Sequence, residues 1–194
     1  MAVTDGELIK EFKNGNKQVF EELIQRYQDR VYHTTFRMLG NHEDAMDMAQ
    51  ETFIRVYKSL GNFKSKSSFS TWLFSITGNI CRDELRKRQR SLKTYSLSSD
   101  DRFNNDLPED SDRKSNPEKA SLSRELSSTI QKKVDQLPEE QKFVFVLREF
   151  EDLSYQEIAE ILDISLGTVK SRLSRARRAL RDDLNKIIKN GGSE

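Results

Sequence analysis

Cysteine is almost missing: Cys81 is alone in a chain of 194 residues. No internal disulfide can form, so a reducing, cytoplasmic setting is expected. Proline is scarce as well, with three residues, and two of them, Pro108 and Pro117, share one stretch. Few breakers elsewhere leave room for long helices. No apolar run approaches the ~18 residues that would cross a bilayer. The opening MAVTDGELIKEF lacks a basic segment followed by an apolar one, so no secretory signal is expected. The eight glycines are scattered and form no phosphate-cradling loop. His33 and His42 with a single cysteine have neither the number nor the spacing of a metal set. The expectation is a protein that is not an enzyme and has no cofactor, metal or small-molecule substrate.

What the chain has is charge. Charged residues make up 34% against 35% hydrophobic, enough for small cores rather than one large one. The net charge is only +1, but its distribution is uneven. Residues 168–181, TVKSRLSRARRALR, carry six Lys and Arg and no acid. Residues 82–93, RDELRKRQRSLK, carry six basic residues against two acids, and 100–112 carry six acids against one Arg. Two basic stripes flanking an acidic stretch suggest two contacts with a polyanion.

Apolar residues recur at helical steps nearly everywhere outside 93–119. Thr4 and Glu7 form a capping box ahead of a stripe of Leu8, Phe12, Val19, Phe20, Leu23, Ile24, Tyr27 and Val31. Asn14-Gly15-Asn16 breaks it into a short and a long helix, the second stopping at Gly40. A third helix begins near Asn41 with Ala45, Met48, Ala49, Phe53, Val56, Tyr57 and Leu60 inward. A fourth carries Trp72, Leu73, Ile76, Ile80 and Leu85, then turns polar. Residues 93–119 are rich in Ser, Asp and Asn and hold too little apolar surface to offset ordering, so an acidic flexible linker is expected. Helical order resumes with Leu122, Leu126, Ile130, Val134 and Leu137. Beyond Pro138 a helix should bury Phe143, Val146, Leu147 and Phe150. The fold expected is all-α, two small helical domains on a flexible linker.

The C-terminal segment is the most informative. Ser154 and Glu157 form a second capping box, Asp163 falls in a tight turn, and Ser165 or Thr168 opens the next helix. Ala159 suits a close crossing, while Ile158, Leu162, Ile164, Val169 and Leu173 lock a helix-turn-helix. Lys170, Ser171, Ser174 and Arg175 fall on the outward face, where the first turns of a recognition helix reach base edges. Thr168, Arg178 and Arg148 are placed to grip phosphates. A solvated basic helix would share the charge but not the small-residue and apolar spacing. On these residues alone a repressor, an activator, a recombinase and a promoter-recognition subunit all remain open.

Residues 41–90 narrow that choice. DAMDMAQETFIRVY and FSTWL in the first half, with LPEEQKFVFVLREFEDLSYQEIAEIL and GTVKSRLSRAR in the second, resemble the sigma-70 family of bacterial initiation factors, in its compact extracytoplasmic-function group. The resemblance implies region 2 over 1–92, the linker over 93–119, region 4 over 120–188 and a disordered tail over 189–194. It implies a subunit that binds core RNA polymerase through the β′ clamp and β flap, reads minus-10 and minus-35 promoter elements and opens the duplex. Asp47, Gln50, Glu51 and Phe53 match the helix that docks on the β′ clamp, and the acids Asp47 and Glu51 at i,i+4 repel, which favours a partner over a plain surface helix. Phe63, Lys64, Lys66, Phe69, Thr71 and Trp72 interleave aromatics with cations and hydroxyls, as a pocket for an extruded base requires. Core packing is an alternative for Phe69 and Trp72. Asn79 matches a base-reading position, and Arg82, Arg86, Lys87 and Arg90 extend a basic face toward the melted junction. Partners implied are core polymerase, promoter DNA and an anti-sigma factor, membrane-bound or not.

Overall fold

The computed structural model describes residues 3–94 and 131–191, with side chains over 3–91 and 131–181. Thr4 opens α1 (Asp5–Lys13): its backbone N–H donates to the Glu7 carboxylate at 2.7 Å, and its hydroxyl accepts from the Glu7 N–H at 3.3 Å. The box satisfies amides that a helix start leaves unpaired. After a 3-10 turn, α2 (Phe20–Leu39) runs to Gly40, whose φ of 78° closes the helix in the left-handed region that glycine enters without strain. Asn41 then accepts from the Asp44 N–H at 2.8 Å and starts α3 (His42–Ser59). Helix α4 (Phe69–Thr94) follows a short loop, so the first two residues of the expected linker, 93 and 94, are helical. The rest of the expected linker, and Leu122, Leu126 and Ile130, lie outside the described residues.

The second half begins with helical residues 131–135, here α5. Pro138 caps α6 (Glu139–Glu149), where its missing N–H costs nothing. The helix-turn-helix is α7 (Tyr155–Leu162) and α8 (Leu166–Gly191). Asp163 takes the turn at φ 51°, a conformation Asp tolerates better than most side chains. Ser165 opens α8, accepting from the Thr168 N–H at 3.1 Å, which settles the choice between Ser165 and Thr168.

Helices α2, α3 and α4 pack around Leu23, Val31, Val56, Leu73 and Phe74. The same apolar cluster continues into Val144, Leu147, Ile158, Ile161, Val169 and Leu173. A second cluster joins Met38, Leu39 and Cys81 to Val134, Leu137, Phe143, Val146, Ala176 and Leu180. The two halves therefore share both cores. At their seam lies Gly78, where an added Cβ would sit 3.7 Å from Phe143 and 4.0 Å from Ile161.

Two inward assignments are corrected. Tyr57 is 44% exposed, touching Phe12 and Phe20 edge-on at the rim rather than entering the core. Phe150 is 38% exposed and lies under the Arg37 guanidinium at 3.9 Å, because α6 has already ended. In their places Thr52 and Val144 are buried. Thr52 is satisfied by donating to the Met48 carbonyl at 2.8 Å, a bond that lets a hydroxyl enter the core.

Candidate nucleic-acid interface

The α7–α8 corner is held from inside by Ile158, Ile161, Val169 and Leu173. That packing turns Lys170, Ser171, Ser174, Arg175 and Arg178 outward, all exposed. Lys170, Ser174, Arg178 and Arg181 line a shallow basic groove with Tyr155, Leu173 and Arg177. Arg175 stands in no ion pair among the described residues, which leaves its planar guanidinium available for a bidentate acceptor. Not every cation of α8 is so placed. Arg172 is paired with Glu140, and Arg177 donates to Glu149 at 2.9 and 2.6 Å, which raises it above its ordinary value. These two brace α8 against α6. The spacing in the sequence did not separate bracing cations from outward ones, since their acidic partners lie on another helix.

Arg148 is partly committed too. It donates to the Leu153 carbonyl at 2.9 Å and packs on the Tyr155 ring. Thr168 is half-buried, its hydroxyl 2.8 Å from that of Ser165.

The loop from Phe63 to Ser68 divides its residues sharply. Phe63 and Phe69 are buried and Trp72 half-buried, the Phe63 and Trp72 ring centroids lying 4.8 Å apart. Lys64 and Lys66 are exposed, and Ser65 between them sits at φ 52°, in the left-handed region. Such backbone strain is held only where the surroundings impose it. Lys13 of α1 donates to the Phe63 carbonyl and pins the loop's entrance. Tyr27 of α2 meets the Phe69 ring edge-on at 5.3 Å, and its hydroxyl donates to Asp5 at 2.5 Å. Burial, with that bond, pushes the Tyr27 phenol far above its usual range. Thr71 is buried, donating at 2.7 Å to Glu157 of α7. That bond, more than the Ser154 cap, holds Glu157 below the usual carboxylate value.

Along α4, Asn79, Arg86, Lys87 and Arg90 are exposed and Arg82 is half-buried over the Phe143 ring. On α3, Asp47 and Gln50 are exposed, and Glu51 and Phe53 half-buried. Glu51 is paired with Arg55 at 2.7 Å. The repulsion expected between Asp47 and Glu51 is thereby relieved within the helix and is no evidence for a partner. A different signal takes its place: Met46, Ile54 and Tyr57 are 54%, 40% and 44% exposed along α3. Ile54 shares an open groove between α3 and α4 with Asp47, Gln50, Glu51, Asp83 and Glu84. Arg55 and Lys87 line the same groove, so its rim carries both signs of charge. Met46 and Ile54 fell outside the inward stripe and could have been found as apolar residues on the wrong face.

The Sigma-70 region 2 family model matches residues 23–91, and that for Sigma-70, region 4 matches 127–180. The chain is 40% identical over 191 residues to the ECF RNA polymerase sigma factor SigW of Bacillus subtilis (strain 168), covering 92% of this chain and 96% of the relative. The chain belongs to the sigma-70 family. Within it, an ECF RNA polymerase sigma-E factor of Haemophilus influenzae is 34% identical over 186 residues, covering 96% of this chain and 98% of the relative. Among solved structures, the sigma factor RpoE of Bartonella quintana, in complex with the anti-sigma factor NepR, aligns with a TM-score of 0.69 at 22% identity, over 86% of this chain and 96% of that one. CnrH, in complex with the cytosolic domain of CnrY, aligns at 0.64 and 23%, over 92% and 96%. At these identities the structures support the fold. Helix α1 precedes the region 2 match, yet its Lys13 donates to the Phe63 carbonyl and its Asp5 accepts from Tyr27, whose ring meets Phe69.

Proposed function

We propose that this protein is a cytoplasmic, non-catalytic initiation subunit that binds core RNA polymerase, brings it to promoters and promotes melting. The observation that carries this is the pairing, in one chain and in order, of sigma-70 region 2 with a region 4 whose α8 presents an exposed basic face. Lys170, Ser171, Ser174 and Arg175 read bases of the minus-35 element in the major groove, while Thr168, Arg178 and Arg148 hold phosphates. Phe63, Lys64, Lys66, Phe69, Thr71, Trp72 and Asn79 serve the minus-10 element, with Phe63 and Phe69 acting as the buried wall of the base pocket rather than as stacking platforms. Arg82, Arg86, Lys87 and Arg90 meet the backbone near the melted junction. Asp47, Gln50, Glu51 and Phe53 belong to the polymerase-docking face of α3, to which the exposed Met46 and Ile54 are added.

Melting on this account needs no hydrolysis. A surface that binds the opened strand more tightly than the paired one shifts the equilibrium by that difference alone. An anti-sigma partner, of the kind bound to RpoE, would act by covering these same faces.

The test is to add the purified protein to core polymerase and a supercoiled promoter library and to sequence run-off transcripts. Discrete start sites sharing two upstream elements are expected. No transcripts, with tight polymerase-independent binding to a palindrome, would instead establish a stand-alone repressor or activator.

A further inference from the structure

Helix α1 precedes the residues that match sigma-70 region 2, and its two ends reach the same group of aromatic rings. At its C-terminal end Lys13 donates to the carbonyl of Phe63, the residue that leaves the 3-10 turn Leu60–Asn62 and enters the loop. At its N-terminal end Asp5 accepts from the Tyr27 hydroxyl at 2.5 Å and from Arg26 at 2.9 Å. The Tyr27 ring in turn meets Phe69 edge-on at 5.3 Å. Phe63 and Phe69 lie 6.2 Å apart, and Trp72 stands 4.8 Å from the first and 6.0 Å from the second. Between the two ends Leu8, Ile9 and Phe12 are buried, so α1 is seated along its length.

A lysine near a helix C-terminus ordinarily serves that helix's own unpaired carbonyls. Here Lys17 does so, donating to the Phe12 carbonyl at 3.0 Å with its ammonium 3.7 Å over the Phe12 ring. Lys13 is thereby released to the loop. The loop has little else to fix its shape. The Phe63 N–H donates to the Leu60 carbonyl at 3.1 Å, and the Ser68 hydroxyl accepts from the Thr71 N–H at 3.0 Å. Between those points residues 64–67 make no hydrogen bond among the described residues, while Ser65 holds a left-handed φ of 52°. A segment with so few internal bonds takes its shape from its ends, and the bond from Lys13 is of the stronger, charge-assisted kind. With its carbonyl held by α1, Phe63 keeps its ring on Trp72 and leaves Lys64 and Lys66 exposed.

We propose that Lys13 and Asp5 are positioning residues for promoter selection: through Phe63 and through Tyr27, helix α1 clasps loop 63–68 in the one shape that discriminates minus-10 bases. The proposal rests on the reading of that loop as part of the minus-10 pocket. Neither side chain touches DNA on this account; both act through the rings they hold. A recognition site must be kept within about 0.5 Å of its productive geometry by the residues behind it. A loop freed at its entrance should therefore lose base preference before it loses binding.

Trp72 is the only tryptophan of the chain and lies 4.8 Å from Phe63, so its emission reports on the loop. In the full-length protein, Lys13→Met removes the donor and keeps the length of the side chain, and Lys13→Arg restores a donor. Tyr27→Phe removes the hydroxyl on Asp5 and keeps the ring on Phe69. Each variant is measured by Trp72 emission and acrylamide quenching, and by helix content and thermal unfolding. Transcription with core polymerase is then read from promoters varied one base at a time in the minus-10 and minus-35 elements.

Lys13→Met should shift Trp72 emission, raise quenching and cut minus-10 discrimination roughly 10-fold, the worth of one hydrogen bond to a charged group. Minus-35 discrimination should stay unchanged, and Lys13→Arg should return all readings to those of the unsubstituted chain. Tyr27→Phe should lower minus-10 discrimination with the same selectivity. Unchanged minus-10 discrimination in Lys13→Met overturns the proposal. An equal loss on every promoter overturns it too, making Lys13 a phosphate contact or a purely structural residue. Selective loss with Trp72 emission and quenching unmoved does the same, because the loop has then kept its shape. Should Lys13→Met lose helix content, Tyr27→Phe decides by these outcomes. Where Lys66→Ala and Asn79→Ala change minus-10 preference and the α1 variants do not, the clasp alone fails. If those two substitutions also leave the preference untouched, the reading of the minus-10 pocket fails with it.

Discussion

Arg175 and Arg172 lie three residues apart on one helix and should behave differently. Arg175 is exposed with no ion-pair partner among the described residues, and Arg172 is paired with Glu140. Arg175→Ala should cost about 1–3 kcal/mol of discrimination at one minus-35 position if its fork meets a guanine. Transcription from promoters varied one base at a time measures this, and an equal loss on all of them would make Arg175 a phosphate contact. Arg172→Ala should leave base preference unchanged. Glu157 gives the pH dependence. Its pKa is lowered, first by the Thr71 hydroxyl, so the folded chain holds the anion more tightly than the unfolded one. The stabilisation is complete above the unfolded carboxylate value of about 4.3 and is lost as the pH falls through the lower folded value. Glu157→Gln should therefore flatten the acid limb of a stability–pH curve, and an unchanged limb would assign that slope to other carboxylates. Cys81 is fully buried, and desolvation pushes its thiol up to about 12. It should resist a thiol reagent at pH 8 until the chain is unfolded; prompt labelling of the folded protein would contradict that placement.

The helices were legible where their signals are local. Both capping boxes, Gly40 and the turn at Asp163 are written within four residues of sequence, and each ends or begins a helix where expected. Buried polar residues were not legible: Thr52 and Thr77 look like surface residues until their hydroxyls bond the carbonyl one turn back. Tyr57 and Phe150 failed for the opposite reason, since apolar periodicity continues past the point where neighbouring helices stop covering it. Helix α3 separates its inner from its outer face cleanly enough to test. Ile54→Asp, at an exposed position, should shift stability by no more than about 0.5 kcal/mol yet abolish capture of the protein by immobilised core polymerase. Retained capture would move the docking surface elsewhere. Leu147 of α6, wholly buried in the shared cluster, should cost about 2–5 kcal/mol when cut to Ala, read by denaturant unfolding.

At the scale of the molecule, the two sigma-70 regions and their order were legible, because each carries its own run of matching motifs. Their mutual packing was not. Glu151 and Thr34 are 117 residues apart in sequence, and Glu157 and Thr71 are 86 apart. An acid on a helix start or in a turn reads as solvated until the partner across the seam is known. The central claim is that one sigma-70 chain anchors at an upstream element through α8 and opens the duplex through residues 62–90. Permanganate probing of a promoter recovered from the run-off library tests it most directly. With core polymerase and this protein, thymines across the minus-10 element should become reactive, and Asn79→Ala should suppress that reactivity while upstream protection by α8 persists. Transcription with no permanganate-sensitive thymines, or melting that Asn79→Ala and the loop substitutions leave intact, would contradict the account.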